Sequence, residues 1–459
     1  MKVLFGDGHL SEANLDTIRK IAECQDSNEL LDWSAKHLIH YHAYNPRIIT
    51  GGKGVLLKDI DGKEFIDFAA MVAAVNIGYG DKEVVEAIRQ QLDQIAPITT
   101  NFLNIPQVRL ARLLAEVAPE LPRCFFATSG SEATELAIKT VRRHTGRRKI
   151  ISRWGGYHGW TGSSLSASGA ALYKREYDPM APGFVHVPPP YCYRCDFGKQ
   201  YPDCKLECAQ IVESAIIYEH PSTVAAVIAE PIIGGGGAIV PPDGYLHELR
   251  RICSKYDLQL IIDEVITGFG RTGKMFAYQT FGITPDLLTV AKGIASTYIA
   301  LSAVLTNDTI ARGLEDYGKG ESFSTYGNHP VACAAAVANI KAILERKLPE
   351  NAARVGDYCL KALKDIVKDS PILGEARGKG LLLGVEIVKN KNTKETDIEL
   401  GRRIARTSLG KGLFFGLSRL RVKNAVIAIF SPPLTITREE IDKALEIFQS
   451  AVKEASIGL

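Results

Sequence analysis

The amino-acid sequence predicts an α/β protein with a large, mainly parallel β-sheet. From about residue 80 to residue 310, apolar segments of strand length alternate with amphipathic segments of helix length. This alternation predicts crossover connections and helices on both faces of the sheet. The strand candidates are RCFFAT, KIISRW, AAVIAE, LQLIID and LLTVA, with helix candidates after the first, third and fourth. Functional side chains are therefore expected at the carboxyl ends of the strands.

The two ends of the chain follow a different pattern. In VLLKDIDGKEFIDF, apolar runs flank Asp61-Gly62, which predicts a β-hairpin. After GNHPVACAAAVANI the pattern is helical, ARGKGLLLGVEIV and AVIAIF supply strands, and TREEIDKALEIFQSAVKEA predicts a closing amphipathic helix. We therefore predict a small α+β domain built from both termini, with residues 1–75 as its N-terminal segment, 76–329 as the large domain and 330–459 as its C-terminal part.

The composition favours a cytoplasmic protein that acts on small molecules. The chain has 459 residues, 46% hydrophobic and 23% charged, and a net charge of +3 gives no reason to expect nucleic acid or a membrane surface as a partner. The first twenty residues lack the apolar core of a secretory signal, and no apolar run reaches the ~18 residues of a membrane span. The odd number of cysteines, nine, favours reduced thiols over a disulfide framework.

A single lysine, Lys292, ends the predicted buried strand in LLTVAKG. One interpretation is a solvated charge that marks where the strand leaves the core, and this segment alone favours it. The other is a reactive amine, because a partly desolvated lysine loses proton affinity and becomes a nucleophile that forms Schiff bases. The remaining motifs decide between the two.

Polar groups follow two other predicted strands. In FFATSGSEATELAIK, Ser129, Gly130 and Ser131 stand at the start of a helix, where they predict either a phosphate-binding cup or an ordinary N-cap. Asp263 ends the strand in LQLIIDEVITGFGRTG, where a carboxylate is suited to pair with a protonated ring nitrogen. Metal ligation by Asp263 and Glu264 is the competing interpretation, but no histidine or further acid cluster supports it.

An aromatic side chain follows the strand KIISRW. Tyr157-His158-Gly159 offers an aromatic face for a planar ring, although His158 by itself is more typical of a structural role. A phosphate cup, a carboxylate, an aromatic plate and a strand-end lysine together match one cofactor, pyridoxal phosphate.

At this point the sequence resembles the class III pyridoxal-phosphate aminotransferases. The resemblance covers nearly the whole chain, through DIDGKEFIDF, SGSEATELAIK, YHG, AEPIIGGGG, IIDEVITGFGRTGK, PDLLTVAKG, STYGNHPVACAAA, ARGKGLLLGVEI and SPPLTIT. It implies the aspartate-aminotransferase fold, called fold type I, with a seven-stranded sheet. It also implies pyridoxal 5'-phosphate as cofactor and a homodimer or dimer of dimers that builds its sites across subunits.

The resemblance assigns roles to individual residues. Lys292 is the lysine that carries the cofactor as a Schiff base, Asp263 holds the ring nitrogen, and Glu230 of AEPIIGGGG is an active-site acid. Tyr157 and Val265 enclose the ring.

The remaining contacts implied at the site concern the phosphate and the substrate. Ser129, Gly130 and Ser131 bind the phosphate together with Thr325, which the neighbouring subunit supplies. His158 is a further cofactor contact, and Trp160 is a candidate substrate contact.

The sequence departs from the family pattern where a carboxylate-binding arginine is common. Ile429 occupies that position in AVIAIFSPPL, and an aliphatic chain cannot replace a bidentate guanidinium. Arg421 is the nearest candidate for a substrate carboxylate, and Arg419 is the second, although either one also suits a solvated surface role. In GIASTYIALSAV, Tyr298 and Ile299 replace the usual small-residue turn.

An insertion, YCYRCDFGKQYPDCKLECA, contains four cysteines: Cys192, Cys195, Cys204 and Cys208. Their spacing permits a tetrahedral zinc site, but reduced structural thiols are the favoured interpretation. No metal is predicted in the catalytic site.

The predicted function is amino-group transfer from an ω-amino acid or amine, of the 4-aminobutyrate, β-alanine or taurine type, to pyruvate or 2-oxoglutarate. The alternative is an amino-acid racemase or epimerase, which the same fold and residues can support. A regulatory cofactor-binding domain is disfavoured, because the whole chain matches the enzyme pattern and no DNA-binding element is attached.

Overall fold

The computed structural model describes residues 12–40, 47–99, 101–317, 324–418 and 422–457. Its contacts divide the chain into two units. The first comprises the residues up to Gly52 and Leu57–Glu64, and the second comprises Lys53–Leu56 and Phe65–Leu459. The three-part division at residues 75 and 329 is not tested by these units and stays a prediction.

The first unit contains two helices, α1 (Glu12–Glu23) and α2 (Ser27–His37), and most of two short strands, β1 (Ile49–Lys53) and β2 (Leu56–Asp59). Asp59 N donates to Lys63 O at 3.0 Å, and Gly62 between them has a φ of 83°. The predicted turn at Asp61-Gly62 is therefore confirmed, because only glycine adopts this conformation at little cost.

The second unit holds all the other elements. In chain order these are β3 (Glu64–Asp67), α3 (Ala70–Ala73), α4 (Lys82–Gln94), α5 (Ile105–Val117), β4 (Arg123–Ala127), α6 (Gly130–Thr145), β5 (Lys149–Arg153), α7 (Gly162–Ala167), α8 (Ala171–Lys174), β6 (Phe184–Val187), α9 (Glu207–Glu219), β7 (Val224–Ala229), α10 (Tyr245–Lys255), β8 (Gln259–Asp263), α11 (Ala277–Phe281), β9 (Leu287–Val290), β10 (Ser302–Thr306), α12 (Asp308–Tyr317), α13 (Pro330–Glu345), α14 (Leu348–Asp369), β11 (Leu373–Lys379), β12 (Leu382–Ile387), α15 (Ile398–Gly410), β13 (Leu413–Phe414), β14 (Gly416–Leu417), β15 (Val426–Phe430) and α16 (Arg438–Ser456).

The central sheet has seven strands in the order β4-β10-β9-β8-β7-β5-β6. Strands β5 to β9 pair in parallel, and β10 runs antiparallel to both of its neighbours. Every residue of β7 and β9 is buried, as expected for parallel strands covered on both faces. The predicted seven-stranded, mainly parallel sheet is confirmed.

Helix α6 follows the end of β4 directly. Ser129 caps it, with its Oγ accepting from Glu132 N at 3.2 Å, and Gly146 ends it in a left-handed conformation. Its buried face includes Ala133, Ala137 and Val141, as the helical spacing predicts. The helix N-terminus therefore lies at the carboxyl edge of the central sheet.

The C-terminal part forms an antiparallel sheet in the order β11-β12-β15-β14. The predicted closing helix is α16, which begins with a reciprocal capping pair between Thr437 and Glu440. β13 pairs in parallel with β3, so the sequence before the large sheet and the sequence after it meet in one sheet. Among the helices of the described residues, none is long and apolar enough to cross a membrane.

One turn near the start of the second unit is left-handed without glycine. Residues Ala70–Ala73, assigned to α3, all have positive φ values, from 42° to 61°. Side chains in this region cost roughly 1 kcal/mol or more per residue. Asp67 offsets part of this cost, because its Oδ1 accepts from the backbone N–H of Ala69 and Ala70 at 2.8 and 2.9 Å.

Candidate active site

Five of the predicted functional side chains lie where strands of the central sheet end. Glu230 follows β7, Asp263 ends β8, Lys292 follows β9, and Tyr157 and His158 lie after β5. The carboxyl ends of parallel strands share one edge of the sheet, so these residues converge although they are far apart in sequence. The structure therefore places these five predicted residues at one edge of the sheet, and their functional roles stay a prediction.

Lys292 begins a short 3-10 turn, Lys292–Ile294, directly after Ala291. Its φ is 48°, an unusual value for a residue with a side chain. Burial lowers the pKa of its amine from 10.5 to about 8, against the opposing effect of the negative charges of Asp263 and Glu230. The amine therefore has a substantial neutral fraction near neutral pH, which favours the reactive interpretation of this lysine.

Hydrogen bonds from α13 hold this turn. Asn339 Nδ2 donates to the carbonyl oxygens of Gly293 and Ile294 at 2.8 and 2.9 Å, and Ser296 Oγ donates to Asn339 Oδ1 at 2.6 Å. A Cβ at Gly293 would lie 2.6 Å from Asn76 Nδ2, so a side chain does not fit there. Asn339 is not among the residues predicted from sequence, although an amide inside the apolar segment ACAAAVANIKAIL is a signal for a buried polar role.

Asp263 is held by two hydrogen bonds. Its Oδ2 lies 2.7 Å from His158 Nδ1, and its Oδ1 accepts from Val265 N at 3.1 Å. Both Asp263 and His158 are buried. His158 Nε2 is also buried and has no hydrogen-bond partner among the described residues. A carboxylate fixed in this way retains free lone pairs for the N–H of a protonated ring.

The neighbouring carboxylate, Glu264, serves a different purpose. Its oxygens accept from Ala277 N and Tyr278 N, both at 2.7 Å, and thus cap α11. Burial raises the pKa of Glu264 to about 7. The two adjacent acids therefore bind separate partners, which does not favour a shared metal at Asp263 and Glu264.

Glu230 connects two loops at the sheet edge. Its Oε1 accepts from Tyr157 N at 3.0 Å and its Oε2 accepts from Gly234 N at 2.9 Å. Burial raises its pKa above the ordinary value for glutamate. Glu230 therefore fixes the backbone that carries Tyr157 as well as the glycine-rich loop that follows β7.

The Ser-Gly-Ser motif at the start of α6 has features of both an N-cap and an anion-binding site. Ser129 is the N-cap, while the backbone N–H groups of Gly130 and Ser131 belong to the first turn, where helices have no internal acceptor. A Cβ at Gly130 would lie 3.0 Å from Val265 Cγ1, so this glycine and Val265 are direct neighbours. Ser131 Oγ accepts from Trp160 N at 3.2 Å. An anion at this helix end would therefore lie beside Val265.

The remaining predicted residues differ in how far the structure describes them. Tyr157 is partly buried, and its ring centroid lies 5.5 Å from that of Tyr173. The side chains of Trp160 and Thr325 are exposed. Arg421, like Arg419, lies outside the described residues.

The donor set fits pyridoxal phosphate. Lys292 supplies an amine of lowered pKa, Asp263 supplies a fixed carboxylate, and α6 supplies free N–H groups for a phosphate. The fold and this site together define a fold type I pyridoxal-phosphate enzyme.

Comparisons with known proteins give the family. Residues 40–452 match the family model described as aminotransferase class-III, and the chain belongs to that family. A taurine–pyruvate aminotransferase from Bilophila wadsworthia is 40% identical over 371 residues, 78% of this chain and 81% of the relative. A diaminobutyrate–2-oxoglutarate transaminase from Halomonas elongata is 37% identical over 433 residues, 90% and 91% of the two chains.

A solved structure gives the same assignment. A thermostable (S)-enantioselective omega-transaminase from Thermomicrobium roseum superposes with a TM-score of 0.90 at 37% identity, over 95% of this chain and 100% of that one. The protein is therefore a class III aminotransferase that depends on pyridoxal phosphate, which confirms the predicted family, fold type, enzyme class and cofactor.

Proposed function

We propose that the protein transfers the amino group of an ω-amino acid or amine, of the taurine, β-alanine or 4-aminobutyrate type, to pyruvate or 2-oxoglutarate. The relatives support this substrate class, because one is named for taurine and pyruvate and another for diaminobutyrate and 2-oxoglutarate. The observation that carries the chemistry is Lys292, an amine with a pKa of about 8 that lies within the electrostatic influence of Asp263 and Glu230.

The residues divide the chemical work as follows. Pyridoxal phosphate, when bound, supplies an electron sink for the bond that breaks at the amine-bearing carbon. Asp263 keeps the ring nitrogen protonated, and His158 Nδ1 orients that carboxylate. Lys292, as a neutral amine, would be the base that takes the proton from the substrate carbon. Tyr157 and Val265 would enclose the ring, and Ser129, Gly130 and Ser131 would hold the phosphate.

For the substrate carboxylate we propose Arg421, with Trp160 as a further contact. Ile429 lies in β15 and packs beside a cluster formed by Ile232, Ala238 and Leu382, so that position offers an apolar surface rather than a cation. Val422, the residue after Arg421, lies against Gly155, where an added Cβ would be 2.3 Å from Val422 Cγ2. Val422 therefore contacts the loop that leads to Tyr157.

We further propose a cytoplasmic homodimer or dimer of dimers, in which Thr325 of one subunit contacts the phosphate in the other. Large apolar side chains are exposed at Phe102, Leu103 and Ile105, each at least 64% accessible, which is typical of a protein interface. All nine cysteines are unpaired, in agreement with a reducing compartment. Light scattering on the holoenzyme measures the oligomeric state, and a monomer would contradict the shared site.

A donor and acceptor screen tests the reaction. Taurine, β-alanine, 4-aminobutyrate and a simple amine are each combined with pyruvate or 2-oxoglutarate, and the amino acid formed from the keto acid is quantified. We expect stoichiometric product from at least one pair and none when the keto acid is omitted. Inversion of an amino acid without any keto acid, together with no transfer in the screen, would instead establish the racemase alternative.

A further inference from the structure

A fully buried serine, Ser168, stands at the end of α7 and binds the segment that carries Tyr157 and His158. This segment, residues 155–159, lies between β5 and α7 and is called here the Tyr-His loop. Irregular backbone lacks the hydrogen bonds of a helix or a strand, so its conformation depends on the groups that bind it from outside.

Gly169, the residue after Ser168, pairs with the start of the Tyr-His loop. Its N–H donates to Gly156 O at 2.9 Å, and its carbonyl oxygen accepts from Gly155 N at 3.0 Å. A Cβ on Gly169 would lie 2.5 Å from Trp154 Cα, so the two backbone segments are too close for a side chain. Backbone hydrogen bonds therefore align this segment with the first half of the loop.

The hydroxyl group of Ser168 binds the second half of the loop. Ser168 Oγ accepts from His158 N at 2.8 Å. It also lies 3.1 Å from Gly159 O and 2.8 Å from Ser164 O, either of which can accept its hydrogen. Loss of this oxygen would leave the buried N–H of His158 without its acceptor, an arrangement that folded proteins avoid.

The backbone position of His158 matters because it helps to set the direction of the ring. Nδ1 lies 2.7 Å from Asp263 Oδ2, and Nε2 has no hydrogen-bond partner among the described residues. An ionised carboxylate only accepts, so Nδ1 carries the hydrogen of this bond. Hydrogen bonds thus hold His158 at its ring, by Asp263, and at its backbone N–H, by Ser168.

Ser168 is itself held from the opposite side. Its carbonyl oxygen accepts from Lys174 Nζ at 3.0 Å, and His186 Nε2 lies 3.1 Å from the same oxygen. Lys174 belongs to α8 and His186 to β6, and the His186 ring stacks on that of Trp154 with centroids 4.5 Å apart. Ser168 therefore connects the edge strand of the central sheet to the histidine of the site.

We propose that Ser168 is a positioning residue, which holds His158 and thereby the Asp263 carboxylate that would pair with the ring nitrogen of the cofactor. The proposal rests on the proposed role of Asp263. In Ser168→Ala the backbone of His158 should shift towards another acceptor, and its ring should form a longer hydrogen bond to Asp263. The carboxylate would then hold the proton of the ring nitrogen less firmly.

Proton NMR of the holoenzyme tests the hydrogen bond directly. The proton between His158 Nδ1 and Asp263 should give a downfield resonance, which is assigned by its absence in His158→Asn. We expect Ser168→Ala to shift this resonance upfield or to broaden it by exchange with water. Ser168→Cys, which is nearly isosteric but a weak acceptor, should shift it in the same direction by a smaller amount.

Ser166→Ala is the matched control. Ser166 is also buried, donates to the carbonyl oxygen four positions earlier at 2.8 Å and accepts from Ala181 N at 3.1 Å. These partners lie outside the Tyr-His loop, so the control should leave the resonance unchanged.

The kinetics of amino transfer give a second measurement. In Ser168→Ala, kcat should fall at least about threefold while the KM values stay within about twofold, because the chemical step depends on Asp263 more than substrate binding does. Ser168→Ala added to His158→Asn should cause no further loss, since Ser168 acts through that histidine.

Three results would overturn the proposal. They are a wild-type spectrum without a downfield resonance that depends on His158, an unchanged resonance in both Ser168 variants, and an equal loss of kcat with and without His158. The resonance is measured without turnover, so it decides this proposal even if the wild-type protein transfers no amino group, a result that would refute only the proposed function.

Discussion

The lowered pKa of Lys292 predicts the pH at which the apoprotein binds its cofactor covalently. Only the neutral amine attacks the aldehyde of pyridoxal phosphate, so the rate of attachment should rise with pH and reach half its maximum near the pKa of this amine. Burial places that pKa at about 8 instead of 10.5. We therefore expect the rate to level off above pH 8 to 9, rather than to increase up to pH 11 as an ordinary lysine would require.

The size of the effect follows from the two pKa values. At pH 7, an amine with a pKa of about 8 is roughly 10% neutral, whereas one with a pKa of 10.5 is about 0.03% neutral, a difference of about 300-fold. The negative charge of Asp263 raises the pKa of Lys292, so Asp263→Asn should move the half-maximal rate to lower pH. The direction of that shift tests the electrostatic interaction between Asp263 and Lys292 without any measurement of enzyme activity.

The assay is stopped-flow absorbance after apoprotein is mixed with pyridoxal phosphate between pH 6 and 11. The same reaction with Nα-acetyllysine gives a reference profile, so that the effect of the cofactor's own titration on the rate can be subtracted. Borohydride reduction and peptide mapping then identify the modified residue, and Lys292→Ala should give no label. A half-maximal rate near pH 10.5, or label on another lysine, would refute the assignment.

Three further substitutions test the site. Asp263→Asn should leave the fold intact but slow turnover more than tenfold, which corresponds to a barrier higher by at least about 1.4 kcal/mol. The reason is that a neutral amide cannot keep the ring nitrogen protonated. A smaller loss in the steady-state rate would exclude that role. Gly130→Ala should weaken cofactor affinity measured by equilibrium dialysis, because the added Cβ would lie 3.0 Å from Val265 Cγ1. Gly410→Ala is the control, because a Cβ added there would meet no atom within 4 Å, and equal affinities of the two variants would contradict the proposed contact. Arg421→Ala should raise the KM for the keto acid by about 30-fold or more, whereas the KM for a donor without an acidic group should not change. Steady-state kinetics measures both values. Equal, small effects on both substrates would contradict the assignment of Arg421 to the carboxylate.

Two of the residues predicted from local sequence, Asp263 and Lys292, lie at or directly beyond strand ends. Asp263 and Lys292 each follow an apolar run, and the geometry of parallel sheets brings such positions to one edge. Local sequence therefore contains the information needed to place them. The resemblance to the family added the roles of Glu230 and Val265, which no local pattern specifies.

Residues that act through distant partners could not be predicted in this way. Asn339 supports the Lys292 turn across more than forty positions of sequence, and its partner Ser296 also receives a hydrogen bond from Asn76 N at 3.1 Å. Such pairs depend on how α13 packs against the turn that begins at Lys292, which no short segment specifies. The left-handed turn at Ala70–Ala73 was missed for a related reason, because it lacks the glycines that usually mark this conformation.

Arg271 shows that the stability of the fold and the reactivity of Lys292 depend on the same charge. Its guanidinium is fully buried and donates to Leu381 O at 3.1 Å and to Asn76 Oδ1 at 3.0 Å. It therefore joins the C-terminal sheet to the segment that contacts Gly293. Its positive charge also lowers the pKa of Lys292, in the same direction as burial and opposite to Asp263. The residue that links these parts of the chain thus also helps keep the amine of Lys292 neutral, so one substitution at Arg271 would affect both packing and the pKa of that amine.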